Sequence, residues 1–535
     1  MDEWIIYTLL LILINIIILV ILKSIGAFKE KKVSLWGPFL MWRTEKGKKL
    51  IEKLARPKRI WRWYGNVSVA ICLVTMILMM VFLIWTTTLV SRIPRESAPS
   101  PQLLLGIPGV NPIIPLWYGI LALAVAIIIH EFAHGILSRV GKLKLKSLGI
   151  IYFLFPWGAF VEPDEEELRT TTKKKRMRIF AAGPSTNIIF AIICALIFSW
   201  GFIGSISPVT EGVFISGALA DSPAHEAGLS KMWMEIVEIN DTPIKDIEDF
   251  ENVPAPKPLE NTTVKYFYEG NFRTVNVTSG VVILHVSEDY PADDAGVESG
   301  MILLEINGTE IRNDGDFQDA MKLTRPNQNV NITLYEYNET TDSYTLFNTT
   351  VTLEDKYEYY EEHYPQVNKE SFRNVGFLGV SHGYLGLKPG GNPKALADML
   401  SHPFSNVDSM DEATYNMLIY ILLPFQGLSP FPEPMTELYE VTGPLAVLPS
   451  GVFWTLANIF YWLFWLNLMV GWTNTLPAVP LDGGHLFKDS LDGIISKIKR
   501  QLDKETRERY VAAITYSLAL LVLVMILYPL IGPRL

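Results

Sequence analysis

The chain carries two cysteines in 535 residues, Cys72 and Cys194, and both fall in apolar runs. That scarcity excludes a disulfide framework and a cysteine-ligated zinc site. Charge is also sparse, at 19% against 49% hydrophobic residues, and mean hydropathy is positive, which points to a membrane protein with substantial water-facing parts. The net charge of −10 says nothing about partners, because its sign reverses between segments, and no nucleic-acid partner is expected. The first apolar stretch lacks a basic leader: it opens Met-Asp-Glu, and no small-residue cleavage site precedes Lys23. It therefore reads as an anchor rather than a signal peptide.

What is present is a set of six stretches long enough to span, at 4–22, 66–90, 113–138, 179–203, 452–475 and 510–531. Each is near the ~20 residues that a bilayer needs. Basic residues crowd the loop from Lys23 to Arg62, the run Lys173-Lys174-Lys175-Arg176-Met177-Arg178, and Lys497 to Arg509. All three fall on one side of a six-span alternation, which the positive-inside rule assigns to the cytoplasm. Both termini and the segment 205–451 are then expected outside.

Ile127-Ile128-Ile129-His130-Glu131-Phe132-Ala133-His134 ends the third stretch. On a helix His130 and His134 lie one turn apart on one face, so two imidazoles can hold one Zn²⁺ with Glu131 beside them as general base. Two satisfied helix histidines are the plain alternative. Ionisable groups beside hydrocarbon are costly, however, and mark function. A site with two histidines needs a third protein ligand, and Asp482 is the first carboxylate after the uninterrupted stretch from Phe453 to Leu481. Pro477 and Pro480 forbid continued helix before it, freeing backbone that can lie beside a bound peptide, and Gly483 and Gly484 are expected to permit a turn behind the ligand.

These residues resemble the site-2 protease family of intramembrane zinc metalloproteases, whose paired motifs are a His-Glu-x-x-His helix and a later Leu-Asp-Gly segment. Gly183-Pro184-Ser185-Thr186-Asn187 is similar to the Gly-Pro-x-x-Asn segment of the family's second core helix. The resemblance implies one Zn²⁺ per chain on His130, His134 and Asp482, with Glu131 as catalytic base. It implies a substrate backbone held by Asn474, a substrate path along Pro477 to Pro480, and Asn187 as a further candidate beside the substrate. Residues 143–161 look like the family's membrane-associated β-loop.

Between Ser205 and Asp355 the chain turns strand-rich and repeats itself. Gly212-Val213-Phe214-Ile215 and Pro223-Ala224-His225-Glu226-Ala227-Gly228-Leu229 return as Gly280-Val281-Val282-Ile283 and Pro291-Ala292-Asp293-Asp294-Ala295-Gly296-Val297, a duplication. The copies resemble tandem PDZ domains, which bind peptide ends along a sheet edge; a purely structural pair is the alternative. The first departs from the pattern, with Ser230-Lys231-Met232-Trp233 where a Gly-Asp turn is usual. Asn-x-Ser/Thr sequons at Asn240, Asn261, Asn276, Asn307, Asn331, Asn338 and Asn348 also favour an outward placement. Residues 413–428 read as an interfacial or re-entrant helix.

The expected fold is a polytopic α-helical membrane protein of about six transmembrane helices with an inserted extracytoplasmic tandem PDZ region of α+β type. The expected boundaries are an anchor at 1–22, a basic loop at 23–65, a span at 66–90, and the first part of the protease core at 113–203. PDZ-like copies follow at 205–279 and 280–355, a linker at 356–451, the second core part at 452–484, a basic segment at 485–509 and a last span at 510–531. The expected function is zinc-dependent cleavage of transmembrane segments in membrane-anchored substrates, with an upstream protease as a possible partner. A membrane metal transporter and a non-catalytic PDZ receptor are the rivals.

Overall fold

The computed structural model describes residues 33–36, 39–45, 47–90, 100–104, 106–153, 155–338, 343–364, 369–405, 409–499 and 501–532, with scattered positions between 13 and 24. The expected anchor at 4–22 lies, but for those positions, outside the described residues. The chain divides into two compact units, one of residues 1–201, 421–430 and 455–535, the other of 202–420 and 431–454. Five helices among the described residues are long and apolar enough to cross a membrane. The protein is thus a multi-pass integral membrane protein.

The membrane unit begins with β1 (Val33–Trp36) and β2 (Phe39–Thr44), then α1 (Lys48–Leu54), α2 (Lys58–Leu89) and α3 (Leu116–Val140). β3 (Leu145–Phe153) and β4 (Phe155–Pro163) follow, and α4 (Lys173–Leu196) continues into a wider turn at Ile197–Phe202. The segment expected as a β-loop is an antiparallel hairpin, with Gly149 opposite Phe160. It is also half of a four-stranded sheet in the order β1-β2-β3-β4, because the loop expected at 23–65 supplies the other two strands. Helices outrun the apolar stretches at their basic ends, α2 from Lys58 rather than 66 and α4 from Lys173 rather than 179. Lysine and arginine are good helix formers, so hydropathy marks the span and not the helix.

The second unit is built twice on one plan. β5 (Val213–Ala218), α5 (Pro223–Glu226), β6 (Glu235–Ile239), α6 (Ile247–Glu251), β7 (Asn261–Tyr268) and β8 (Asn271–Thr278) make the first copy. β9 (Val281–Val286), α7 (Pro291–Asp294), β10 (Ile302–Ile306), α8 (Asp314–Lys322), β11 (Asn329–Asn338) and β12 (Ser343–Thr352) make the second. Neither sheet closes on its own copy. β13 (Val380–Tyr384) pairs with β9, Val281 opposite Tyr384, and β14 (Leu387–Gly391) pairs with β5, Leu387 opposite Ala218. The region expected as a linker from 356 to 451 therefore delivers one edge strand to each sheet.

The duplication extends into these two strands and the residues that lead into them. Leu378 accepts a hydrogen bond from the Ala292 amide at 2.9 Å, and Leu385 accepts one from the Ala224 amide at 3.0 Å, so each Leu-Gly pair roofs the short helix of its copy. Gly379 and Gly386 have φ of +85° and +83°, and a Cβ would fall 2.5 Å from Tyr290 Cβ and 2.3 Å from Ser222 Cβ. Only glycine fits either place.

Glu235, at the start of β6, is fully buried; its Oε2 accepts from the Thr210 hydroxyl and its Oε1 has no partner. Burial pushes its carboxyl up to about 7 from an ordinary 4.5, although the Thr210 bond works against the rise. The folded protein keeps this proton above pH 4.5, where the unfolded chain has released it. Stability from this group is therefore full below pH 4.5 and falls as pH rises to about 7, by roughly 3 kcal/mol in all. Glu235→Gln should remove that slope. Thermal unfolding of the solubilised protein at pH 5 and pH 8 should show the variant gaining on wild type at the higher pH; an unchanged difference between the two would contradict it.

After the inserted unit, α9 (Ser450–Thr475) re-enters the membrane, α10 (Asp482–Ile498) follows a proline-broken turn, and α11 (Lys504–Ile531) ends the described chain. Two thirds of the most apolar window of α9 is buried (67%) against 22% for α2 and α11, so α9 is central and the other two face lipid. α9 lies close on α4 at Gly471, where a Cβ would stand 2.7 Å from Ile188 Cγ1. Arg176 of α4 grips Asp489 of α10 with two hydrogen bonds of 2.9 and 2.5 Å, and Asp492 joins Lys173 at 2.5 Å to Arg507 of α11 at 2.7 Å.

Candidate metal centre

α3 presents His130 and His134 one turn apart, their rings 4.8 Å between centroids. Asp482 is the first residue of α10, where the positive end of the helix dipole favours a carboxylate. Its Oδ2 lies 3.0 Å from His130 Nε2 and 3.1 Å from His134 Nε2. A tetrahedral zinc with bonds of about 2.0–2.1 Å sets its ligands about 3.3 Å apart. The three ligand atoms all fall within 4.8 Å of one another, so the set fits one ion.

The groups behind the histidines fix which nitrogen faces the ion. His134 Nδ1 is 2.7 Å from the Ile179 carbonyl, which can only accept, so Nδ1 carries the proton and Nε2 keeps its lone pair. His130 Nδ1 lies 3.4 Å from the side-chain amide nitrogen of buried Asn187, whose Oδ1 has no partner. Turning that amide over gives the oxygen a partner in Nδ1–H and leaves Nε2 of His130 free as well. Gly183 supplies the space: a Cβ there would come within 2.4 Å of His134 Nε2 and 2.5 Å of His130 Nε2. The glycine of the Gly-Pro-x-x-Asn segment is thus the floor of the metal site, a role that the motif alone does not reveal.

Glu131 points to the same place and is tied to β4, its Oε2 accepting from the Val161 amide at 2.9 Å. A cavity of about 590 Å³ brings Glu131, Phe160, Asn474 and Pro480 into one wall with the three ligands. Asn474 donates to the Val470 carbonyl of its own helix at 3.0 Å, and Pro477 is not part of that wall. Asn187 sits buried behind His130 and does not line that cavity. Gly483 and Gly484 do not make the expected turn; both are helical, and a Cβ would collide with Thr475 O at 2.2 Å and with Ala478 C at 2.5 Å. They let the helix that carries Asp482 press against the proline-containing turn.

Two histidines on a membrane-spanning helix and a carboxylate at the start of α10, with a glutamate in the same cavity, define a metallohydrolase built into a bilayer. The sequence profile of peptidase family M50 matches residues 118–522, and the chain belongs to that family of zinc metalloproteases. It is 34% identical over 273 residues to an uncharacterized protein of Methanocaldococcus jannaschii, a match covering 50% of this chain and 70% of that one. It is 24% identical over 215 residues to a Rickettsia conorii protein provisionally named a zinc metalloprotease, covering 34% of this chain and 59% of that one.

Proposed function

We propose that the protein cleaves a peptide bond within the transmembrane segment of a membrane-anchored substrate, with Glu131 as general base. The observation that carries this reading is the convergence of His130, His134 and Asp482 on one point from helices of the membrane unit, with Glu131 in the same cavity wall. Bound there, zinc supplies a Lewis acid and a water whose pKa falls toward about 7. Glu131 accepts the proton as the water oxygen bonds to the scissile carbonyl carbon, then delivers it to the leaving nitrogen as the C–N bond breaks. The Val161 amide holds one Glu131 oxygen in place while this happens.

A helical substrate hides its carbonyls in its own hydrogen bonds and must unwind to be cut. The β3–β4 hairpin, next to Glu131 through Val161, offers strand pairing to an unwound segment, and Asn474 and Pro480 line the same cavity. Basic residues at the ends of α2, α4 and α11 support an orientation with this cavity toward the cytoplasm and the duplicated unit outside. The sequon asparagines whose side chains are described are not buried, in keeping with an outward face. We read the two copies as PDZ domains. The second offers a groove of about 500 Å³ between α8 and β13, lined by Phe317, Met321, Leu378 and Val380, suited to an apolar peptide end. The test of the activity is a single-span reporter peptide in detergent, cut inside its apolar segment by wild-type protein and left whole by Asp482→Ala.

A further inference from the structure

We propose that a cationic cavity at the junction of α2, α3 and α4 is a binding site for the phosphate headgroup of an anionic phospholipid. The cavity, of about 410 Å³, is lined by Arg62, Lys142, Lys174, Lys175 and Arg178, and no Asp or Glu contributes to its wall. Among the described residues none of these five joins an ion pair, whereas Lys173 and Arg176, on the same turns of α4, are matched to Asp492 and Asp489. The chain thus neutralises the cations on one side of α4 and leaves those on the other side facing one another. Five like charges around one small cavity repel unless an anion lies between them.

Two further features point the same way. Thr172, in the cavity wall, begins α4 without a side-chain cap, and the first turn of the helix contains no acidic residue. The positive end of a 24-residue helix is therefore added to the lysines rather than cancelled. Arg178 is also held in place: Asn66 Oδ1 accepts from its Nε at 2.9 Å and from its Nη2 at 2.7 Å, which leaves the other amino group to donate. Phosphate oxygens are the acceptors that such an array suits.

The location selects a lipid over a soluble phosphate. The cavity lies where three spans meet the basic side of the membrane, at the start of α2 and α4 and the end of α3. Trp63, next to Arg62, is 67% exposed, as is usual for an aromatic residue at the headgroup level. Basic pockets between transmembrane helices on this side match anionic headgroups in charge and depth.

The test uses the full chain, stripped of lipid in a neutral detergent, with dioctanoyl phosphatidylglycerol and dioctanoyl phosphatidylcholine as probes and bound lipid counted by native mass spectrometry. Wild type should bind the phosphatidylglycerol at least about tenfold more tightly than the phosphatidylcholine, and less so at high salt. Combined Arg62→Gln, Lys142→Gln, Lys174→Gln and Lys175→Gln should weaken phosphatidylglycerol by roughly a hundredfold. The same charge change at Lys497, Lys499, Lys504 and Arg509 should not. Lys174→Glu alone should weaken it in the same direction, and zinc content reports that each variant is folded. Equal affinity for the two lipids, or equal loss in both fourfold variants, would overturn the site. Pyrophosphate displacing the lipid at matched concentration would overturn its assignment to lipid.

Discussion

Glu131→Gln is expected to abolish peptide cleavage while leaving zinc in place. Glutamine keeps the shape and can still meet the Val161 amide through its carbonyl oxygen, so the β4 contact at 2.9 Å survives. It cannot take a proton from water at neutral pH. General-base catalysis contributes about 10²–10⁴-fold, and the substitution removes the group that both receives and returns the proton, so a loss near the upper end is expected. Zinc per chain, measured by metal analysis, should stay at the wild-type level because none of the three ligands is touched. A transporter using the same three residues would keep its metal flux in this variant, so the substitution also separates the two activities.

Gly183→Ala should weaken zinc binding by roughly 10–100-fold, with activity falling in step. The added methyl would stand 2.4 Å from His134 Nε2 and 2.5 Å from His130 Nε2, inside the contact distance of any two heavy atoms, so one imidazole must turn away. Glycine to alanine within a helix ordinarily stabilises it by up to about 1 kcal/mol. The expected result is thus a helix at least as stable that holds its metal more weakly, a combination that general unfolding does not produce. Competition against a chelator of known affinity reads the change directly. Wild-type zinc affinity in this variant would show that Gly183 is not the floor of the site.

Much of the centre was legible in the sequence, because its chemistry resides in side chains with few equivalents. His130, His134 and Asp482 stand out as ionisable groups at the ends of apolar runs, although 348 residues separate the last two. What surrounds them was not legible. The Ile179 carbonyl and the Val161 amide act through backbone that every residue possesses, and Gly183 acts by what it lacks. In the second unit the repeat could be read where it was local. The strands that complete it could not, because the pairing of Val281 with Tyr384 leaves no periodic trace in either segment. A weak signal existed in Leu378-Gly379 and Leu385-Gly386, the same dipeptide immediately before two successive strands. The proline-broken turn before Asp482 was anticipated, but the two glycines after it serve close approach within a helix rather than reversal of the chain.

The central claim is that one metal ion, held by residues from both ends of the membrane unit, cuts a bond inside a transmembrane helix. The most direct measurement takes wild-type and Asp482→Ala protein through the same purification, counts zinc per chain, and weighs the fragments of a single-span reporter peptide by mass spectrometry. The account predicts stoichiometric zinc and a cut within the apolar segment for wild type, with little zinc and an intact reporter for Asp482→Ala. Full zinc and the same fragments from Asp482→Ala, or a wild-type cut only in the water-exposed flanks of the reporter, would contradict it.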